Sequence, residues 1–219
     1  MVQRVLRSIK YRYGNLEARV LTKFAEKFQA TSDVILLLHG IDIKGNQKYN
    51  LRFTSISDFI FLVRELKKYF QICPLSDIEY ESNIPRLFIT FDDRYKNWYY
   101  NLLPIIEDYE IPVTFFISTP RTDILWTDQY DLYRVHYDKP IIINGKKFKK
   151  SHGFFINNEL GELNRFLKKS ELEVIEEFQS QAIIENKILR KNVDYWELLS
   201  DEEVQKLSQS QYVTIGSHA

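Results

Sequence analysis

Three short, largely apolar runs constrain this chain more than anything else in it: Val34-Ile35-Leu36-Leu37-Leu38, Leu87-Phe88-Ile89-Thr90-Phe91 and Val113-Thr114-Phe115-Phe116-Ile117. A run of this length with no polar alternation has to be covered on both faces, which is the pattern of a strand inside a parallel sheet. The segments between the runs carry helical spacing instead. Phe59, Leu62, Val63, Leu66 and Phe70 recur on one stripe after the hydroxyl-bearing Thr54-Ser55-Ile56-Ser57, which predicts a capped helix over 58–70. Phe70 to Leu75 reads as a brief extended segment. Asn97 to Tyr109 predicts a second helix with Leu102, Leu103, Ile106 and Tyr109 inward and an early interruption at Pro104. Ahead of the first run, Leu16, Val20, Phe24 and Phe28 predict a further helix over 16–29. Strand, helix, strand, helix, strand is the order that builds an α/β domain around a parallel sheet.

The alternation stops after Ser118. Asn144-Gly145 sits between extended stretches and predicts a tight β-hairpin. Ser170-x-x-Glu173 and Ser200-x-x-Glu203 fit a reciprocal capping pattern and predict helices over 171–187 and 201–210. Regular extended sequence returns at Tyr212-Val213-Thr214-Ile215-Gly216, closely followed by His218. The expected organisation is therefore 1–118 with the first strands and helices, 119–211 as a largely helical insertion, and 212–219 as a strand leading to a histidine.

Composition narrows the function. Lys and Arg together number 30, as do Asp and Glu, so no basic footprint suits a nucleic acid or an anionic membrane. The longest apolar runs fall far short of the about 20 residues that span a bilayer. The basic start, Met1 to Arg7, runs into Tyr11-Arg12-Tyr13-Gly14 without the apolar core of an export signal, so a cytoplasmic location is expected. Cys73 is the only cysteine, which rules out an intrachain disulfide.

Asp92-Asp93 is the one feature that demands chemistry. Two adjacent carboxylates stand at the C-terminal end of a buried parallel strand, where ligands bind in α/β folds and where like charges repel. Neighbouring side chains on an extended chain point to opposite sides, so the two should differ in role. One could hold a cation while the other takes a proton from water; the bland reading is a helix cap beside a solvated carboxylate.

In three places the sequence resembles the polysaccharide deacetylases, the NodB-homology domains of carbohydrate esterase family 4. These are Leu87-Phe88-Ile89-Thr90-Phe91-Asp92-Asp93, Ile111-Pro112-Val113-Thr114-Phe115-Phe116-Ile117 and Val213-Thr214-Ile215-Gly216-Ser217-His218, in the family's order. Ile35 to His39 is similar to the first strand of bacterial members, and Val193 to Ser200 to the segment before the histidine motif. The resemblance implies a partial distorted (β/α) barrel with an insertion. It implies Asp92 as general base, Asp93 and His218 as ligands of a divalent ion, most often zinc, and hydrolysis of N-acetyl or O-acetyl groups on a glycan or sugar precursor. Arg94 stands where the family keeps a glycine. The family's second metal histidine lies four residues after the first, past Ala219, and its later motifs would follow. An incomplete, nearly inactive deacetylase domain over 1–219 is thus expected, with apolar strand edges that favour self-association. The alternative is a non-catalytic carbohydrate-binding or interaction module that keeps the fold. His39, His136 and His152 are expected to be structural or at the surface, and Trp98, Trp126 and Trp196 to pack in a core.

Overall fold

The computed structural model describes residues 32–119 and 122–218, so the helix expected over 16–29 lies outside the described residues. The chain divides into two compact units. Among the described residues, one comprises 32–47, 51–119 and 197–218; the other comprises 48–50 and 122–196.

The first unit opens with β1 (Val34–Leu38), followed by the two-residue pair β2 (Ile41–Asp42) and β3 (Thr54–Ser55). Helix α1 (Ile56–Leu66) starts where a hydroxyl can satisfy an orphan N–H: Ser55 accepts from the Asp58 backbone and Phe59, Leu62, Val63 and Leu66 turn inward. The short β4 (Gln71–Ile72) leads to β5 (Arg86–Asp93), which runs through both carboxylates rather than ending before them. The next helix differs from expectation. Trp98–Leu102 forms a π-helical turn in which the Leu103 N–H reaches back to the Trp98 carbonyl, and Pro104, lacking an N–H, opens the α-helical part, α2 (Leu103–Asp108). The wider turn rotates the buried stripe to Trp98, Leu102 and Ile106 and leaves Tyr109 exposed. Strand β6 (Val113–Ser118) follows.

The second unit begins with α3 (Trp126–His136), then β7 (Ile141–Ile143) and β8 (Lys146–Ser151) around the expected turn. Asn144 and Gly145 both have positive φ, 49° and 68°, as a two-residue hairpin requires. A second hairpin, not expected from the sequence, turns on His152 and Gly153 (φ 49° and 81°) into β9 (Phe154–Asn157), and β10 (Gly161–Glu162) completes a four-stranded antiparallel sheet. The insertion is therefore a mixed sheet-and-helix unit rather than a largely helical one. Its helices are α4 (Leu163–Leu167), α5 (Leu172–Gln181) and α6 (Asn186–Lys191). The expected helix 171–187 breaks at Ala182, and Ser170 caps nothing, because its hydroxyl donates back to the Phe166 carbonyl at the end of α4. Tyr130, Phe148, Phe155, Leu163 and Phe178, all fully buried, form this unit's own core. His136 is half-buried rather than at the surface: its ring stacks on Tyr49 at 5.6 Å, and burial lowers its pKa.

Helix α7 (Asp201–Leu207) belongs to the first unit and carries the expected reciprocal cap, with Ser200 N–H on Glu203 Oε2 at 2.8 Å and Glu203 N–H on Ser200 Oγ at 3.2 Å. It leads to β11 (Val213–His218). The strand order is β1, β5, β6, β11, all parallel, with β4 paired to the start of β5. The fold of this unit is thus mixed α/β, a parallel sheet with helices. Ile89 and Phe91 of β5 face the same side as Val113 and Phe115 of β6, and aromatic rings cover that side. Phe59 meets Phe91 at 5.8 Å, and Trp98 stacks on Phe115 at 4.6 Å.

Asp33 fastens the edge of this sheet by accepting from the Arg86 backbone N–H at 2.9 Å and from the guanidinium at 2.5 Å. Arg86 holds the Asp33 carboxyl below its usual pKa of 3.8. A lowered folded pKa contributes stability above the unfolded value and loses it as pH falls through the folded one. Asp33→Ala should therefore cost about 1–2 kcal/mol at neutral pH, a value reduced for the partial exposure of the pair, and the difference should vanish in acid; urea unfolding at both pH values measures this.

Candidate functional site

Residues level with one another on parallel strands project to the same side. Asp92 on β5 is level with Phe116 on β6, and Phe116 with Gly216 on β11. His218, two residues beyond Gly216, projects to that same side. Its Nε2 lies 3.7 Å from Asp92 Oδ2. Gly216 serves this arrangement, since a Cβ there would lie 2.7 Å from the Phe116 ring. The Asp92 carboxyl is pushed above the usual 3.8, first by burial, which disfavours its charge, against the pull of His218; the Asp93 charge raises it further and the Arg52 charge opposes.

Asp93 behaves differently. Its backbone takes φ 91°, a left-handed conformation in which the strand turns, and its carbonyl accepts from Ser118 Oγ at 2.6 Å. Its carboxylate is nearly buried and turned to Arg52, whose Nη1 lies 2.5 Å from Oδ2. The other arm of the guanidinium donates to the Tyr95 hydroxyl, and Cζ sits 5.5 Å from the Tyr95 ring centroid.

Past the turn, the backbone of 94–96 is joined to that of 197–199. The Leu199 N–H donates to the Arg94 carbonyl at 2.9 Å, Tyr95 and Leu198 form an antiparallel bridge, and the Lys96 N–H donates to the Glu197 carbonyl at 2.9 Å. Lys96 Nζ adds ion pairs to Glu197 at 3.1 Å and Glu203 at 3.7 Å. The segment ahead of α7 is thereby tied to the carboxylate turn, which directs β11 and His218 to the same end of the sheet.

Of the three residues singled out from sequence, the fold brings Asp92 and His218 together and gives Asp93 to Arg52. Arg52 was missed, because nothing local distinguishes a loop arginine that pairs with a residue 41 positions later. His39 was expected at the end of the first strand in a hydrogen-bonded structural role; its carbonyl accepts from Trp98 Nε1, and it directly follows Leu38, which pairs with Phe91.

Among the described residues no three His, Cys, Asp or Glu side chains gather as a metal-binding group. The donor types nevertheless suit a divalent ion of the zinc kind. A carboxylate and an imidazole are ligand types that zinc takes, but the Asp93 carboxylate is engaged by Arg52, and it is Asp92, not Asp93, that lies 3.7 Å from His218.

Comparison with known proteins places these features in a family. The profile of the polysaccharide deacetylase family matches residues 79–219, well over half of the chain and the whole of its Asp-Asp and histidine motifs. Among solved structures, a de-N-acetylase from Aggregatibacter actinomycetemcomitans is similar at 15% identity and a TM-score of 0.42, over 84% of this chain and 53% of that one. The chain thus spans about half the length of that structure. No curated protein matches the chain. No helix among the described residues is long and apolar enough to cross a membrane. With its family profile covering the strand that bears both carboxylates and the strand that bears the histidine facing them, this chain belongs to the polysaccharide deacetylase family.

Proposed function

We propose that the chain carries the base and metal-ligand part of a deacetylase site that removes N-acetyl or O-acetyl groups from a glycan or sugar precursor. Asp92 is the general base, and Asp93 and His218 are ligands of a divalent ion, zinc by donor type. The observation that carries this reading is the Asp92–His218 pair, 3.7 Å apart at the C-terminal mouth of the parallel sheet. When bound, the ion would polarise the acetyl carbonyl and acidify a water.

The protein's own groups do the rest. Burial keeps Asp92 a better proton acceptor than an ordinary carboxylate, which suits it to take a proton from water. Ser118 holds the Asp93 backbone in its turned conformation. The parallel sheet, uncovered at Ile35 and Leu37, which are 40% and 45% exposed, also fits the opening arc of a (β/α) barrel, and the same residues support self-association of the chain.

Isothermal titration of the metal-free chain with zinc tests the assignment. Saturable one-site binding that is lost in Asp93→Asn, which tolerates the φ of 91° at this position, and in His218→Ala is expected. Binding that persists unchanged in both variants, or glycan binding indifferent to a chelator with no zinc uptake at all, would sink the metal assignment and favour a carbohydrate-binding module.

A further inference from the structure

The proposed metal ligand Asp93 already has a cation. Arg52 Nη1 lies 2.5 Å from Asp93 Oδ2, and the side chains are only 20% and 11% exposed. The guanidinium is anchored twice more, through the Tyr95 hydroxyl and over the Tyr95 ring, and that ring is wedged edge-on against Phe53 at 4.7 Å, one residue beyond Arg52. Asp93 is equally constrained, its carbonyl pinned by Ser118 and its backbone at φ 91°. His218 is 3.7 Å from Asp92, the other carboxylate of the pair. Asp92 and His218 therefore face each other at the strand mouth, while Asp93, the carboxylate proposed as a ligand, is held by an arginine.

We propose that Arg52 is a built-in competitor for the metal: it holds Asp93 in the metal-free chain, and a divalent cation has to displace it before Asp93 can join His218. This rests on the metal reading above. Two physical points favour competition over simple orientation of the ligand. A guanidinium keeps its charge throughout the accessible pH range, so it cannot yield by losing a proton and must move aside. A positive charge left beside Asp93 also repels an incoming dication across a short, poorly screened distance. An orienting partner of a metal-bound carboxylate would be expected to strengthen binding instead. The two roles thus predict opposite signs for the same substitution.

The test is zinc titration of the full chain, by calorimetry and with cobalt(II) absorption as an independent report on coordination, for the parent, Arg52→Met and Arg52→Lys. Methionine keeps the apolar length of the stem and removes the charge. Arg52→Met should bind about tenfold more tightly than the parent, and Arg52→Lys, which retains a charge but not the fork onto Tyr95, should fall between them. Should Arg52→Met be unfolded by circular dichroism, Arg52→Gln, neutral and able to donate to Tyr95, takes its place with the same expectation. Equal or weaker binding by the neutral variant, while parent binding still depends on Asp93, overturns the competitor role and leaves the metal reading intact. If neither parent nor neutral variant binds zinc or cobalt, the metal reading fails and the competitor role with it.

Discussion

Asp92→Asn should lower acetate release by the intact protein by about 10²–10⁴, the usual contribution of a positioned general base, while leaving zinc affinity close to that of the parent. The amide keeps the shape and the position on β5, so folding and metal uptake are controls rather than confounders. The same substitution should act in the opposite direction on stability. The Asp92 carboxyl has its pKa raised above 3.8 by burial. A raised folded pKa contributes stability that is fully present below the unfolded value and is lost as pH rises through the folded value. At neutral pH the parent therefore bears the cost of a buried charge that asparagine does not. The melting temperature of metal-free Asp92→Asn should exceed that of the parent near neutral pH, and the gap should close in acid. A variant that loses activity and stability together would show that Asp92 is a structural residue and not a strained functional one.

Trp98→Ala should be the most damaging single change in the first unit, at about 3–5 kcal/mol, the range for truncating a buried tryptophan. The side chain is fully buried, stacks on Phe115 at 4.6 Å and 23°, and approaches Phe91 and Tyr95 at 6.2 Å and 6.4 Å. Its indole N–H also donates to the His39 carbonyl, so one residue joins the ends of β1, β5 and β6 at the mouth that carries Asp92. Trp98→Phe separates the contributions, since it keeps most of the ring contact and loses the hydrogen bond to the His39 carbonyl, a loss of about 0.5–1.5 kcal/mol. Urea unfolding of both variants measures the split. Equal losses would mean that packing contributes little beyond the hydrogen bond.

The parts of the fold that could be read in advance are those where burial alone dictates residue type. Leu87–Phe91 and Val113–Ile117 are paired on both sides within the parallel sheet and are largely buried, whereas Val34–Leu38 is its edge strand and leaves Ile35 and Leu37 exposed, so burial accounts for the first two runs and not for the third. The Asn144-Gly145 turn was legible because both residues tolerate positive φ, whereas the His152-Gly153 turn was not, since a histidine at φ 49° carries no such mark. Ser200 and Ser170 show the limit of a short pattern. Both have a glutamate three residues on, but only Ser200 begins a helix, because Ser170 is already engaged by the turn that ends α4. The candidate site was half legible. Asp92, Asp93 and His218 stand out by type and motif, yet the side each one faces depends on register between strands far apart in sequence, and Arg52 enters from a loop with no pattern of its own.

The left-handed backbone at Asp93 has a practical consequence for anyone mapping this site by substitution. Aspartate, asparagine and glycine are the residues best able to occupy such a conformation, and a side chain such as alanine pays about 1–2 kcal/mol there before any ligand is considered. An alanine scan would therefore merge two separate losses at this position and make it look more essential to folding than its carboxylate is. Asparagine is the informative replacement: it leaves the bend undisturbed and removes only the negative charge.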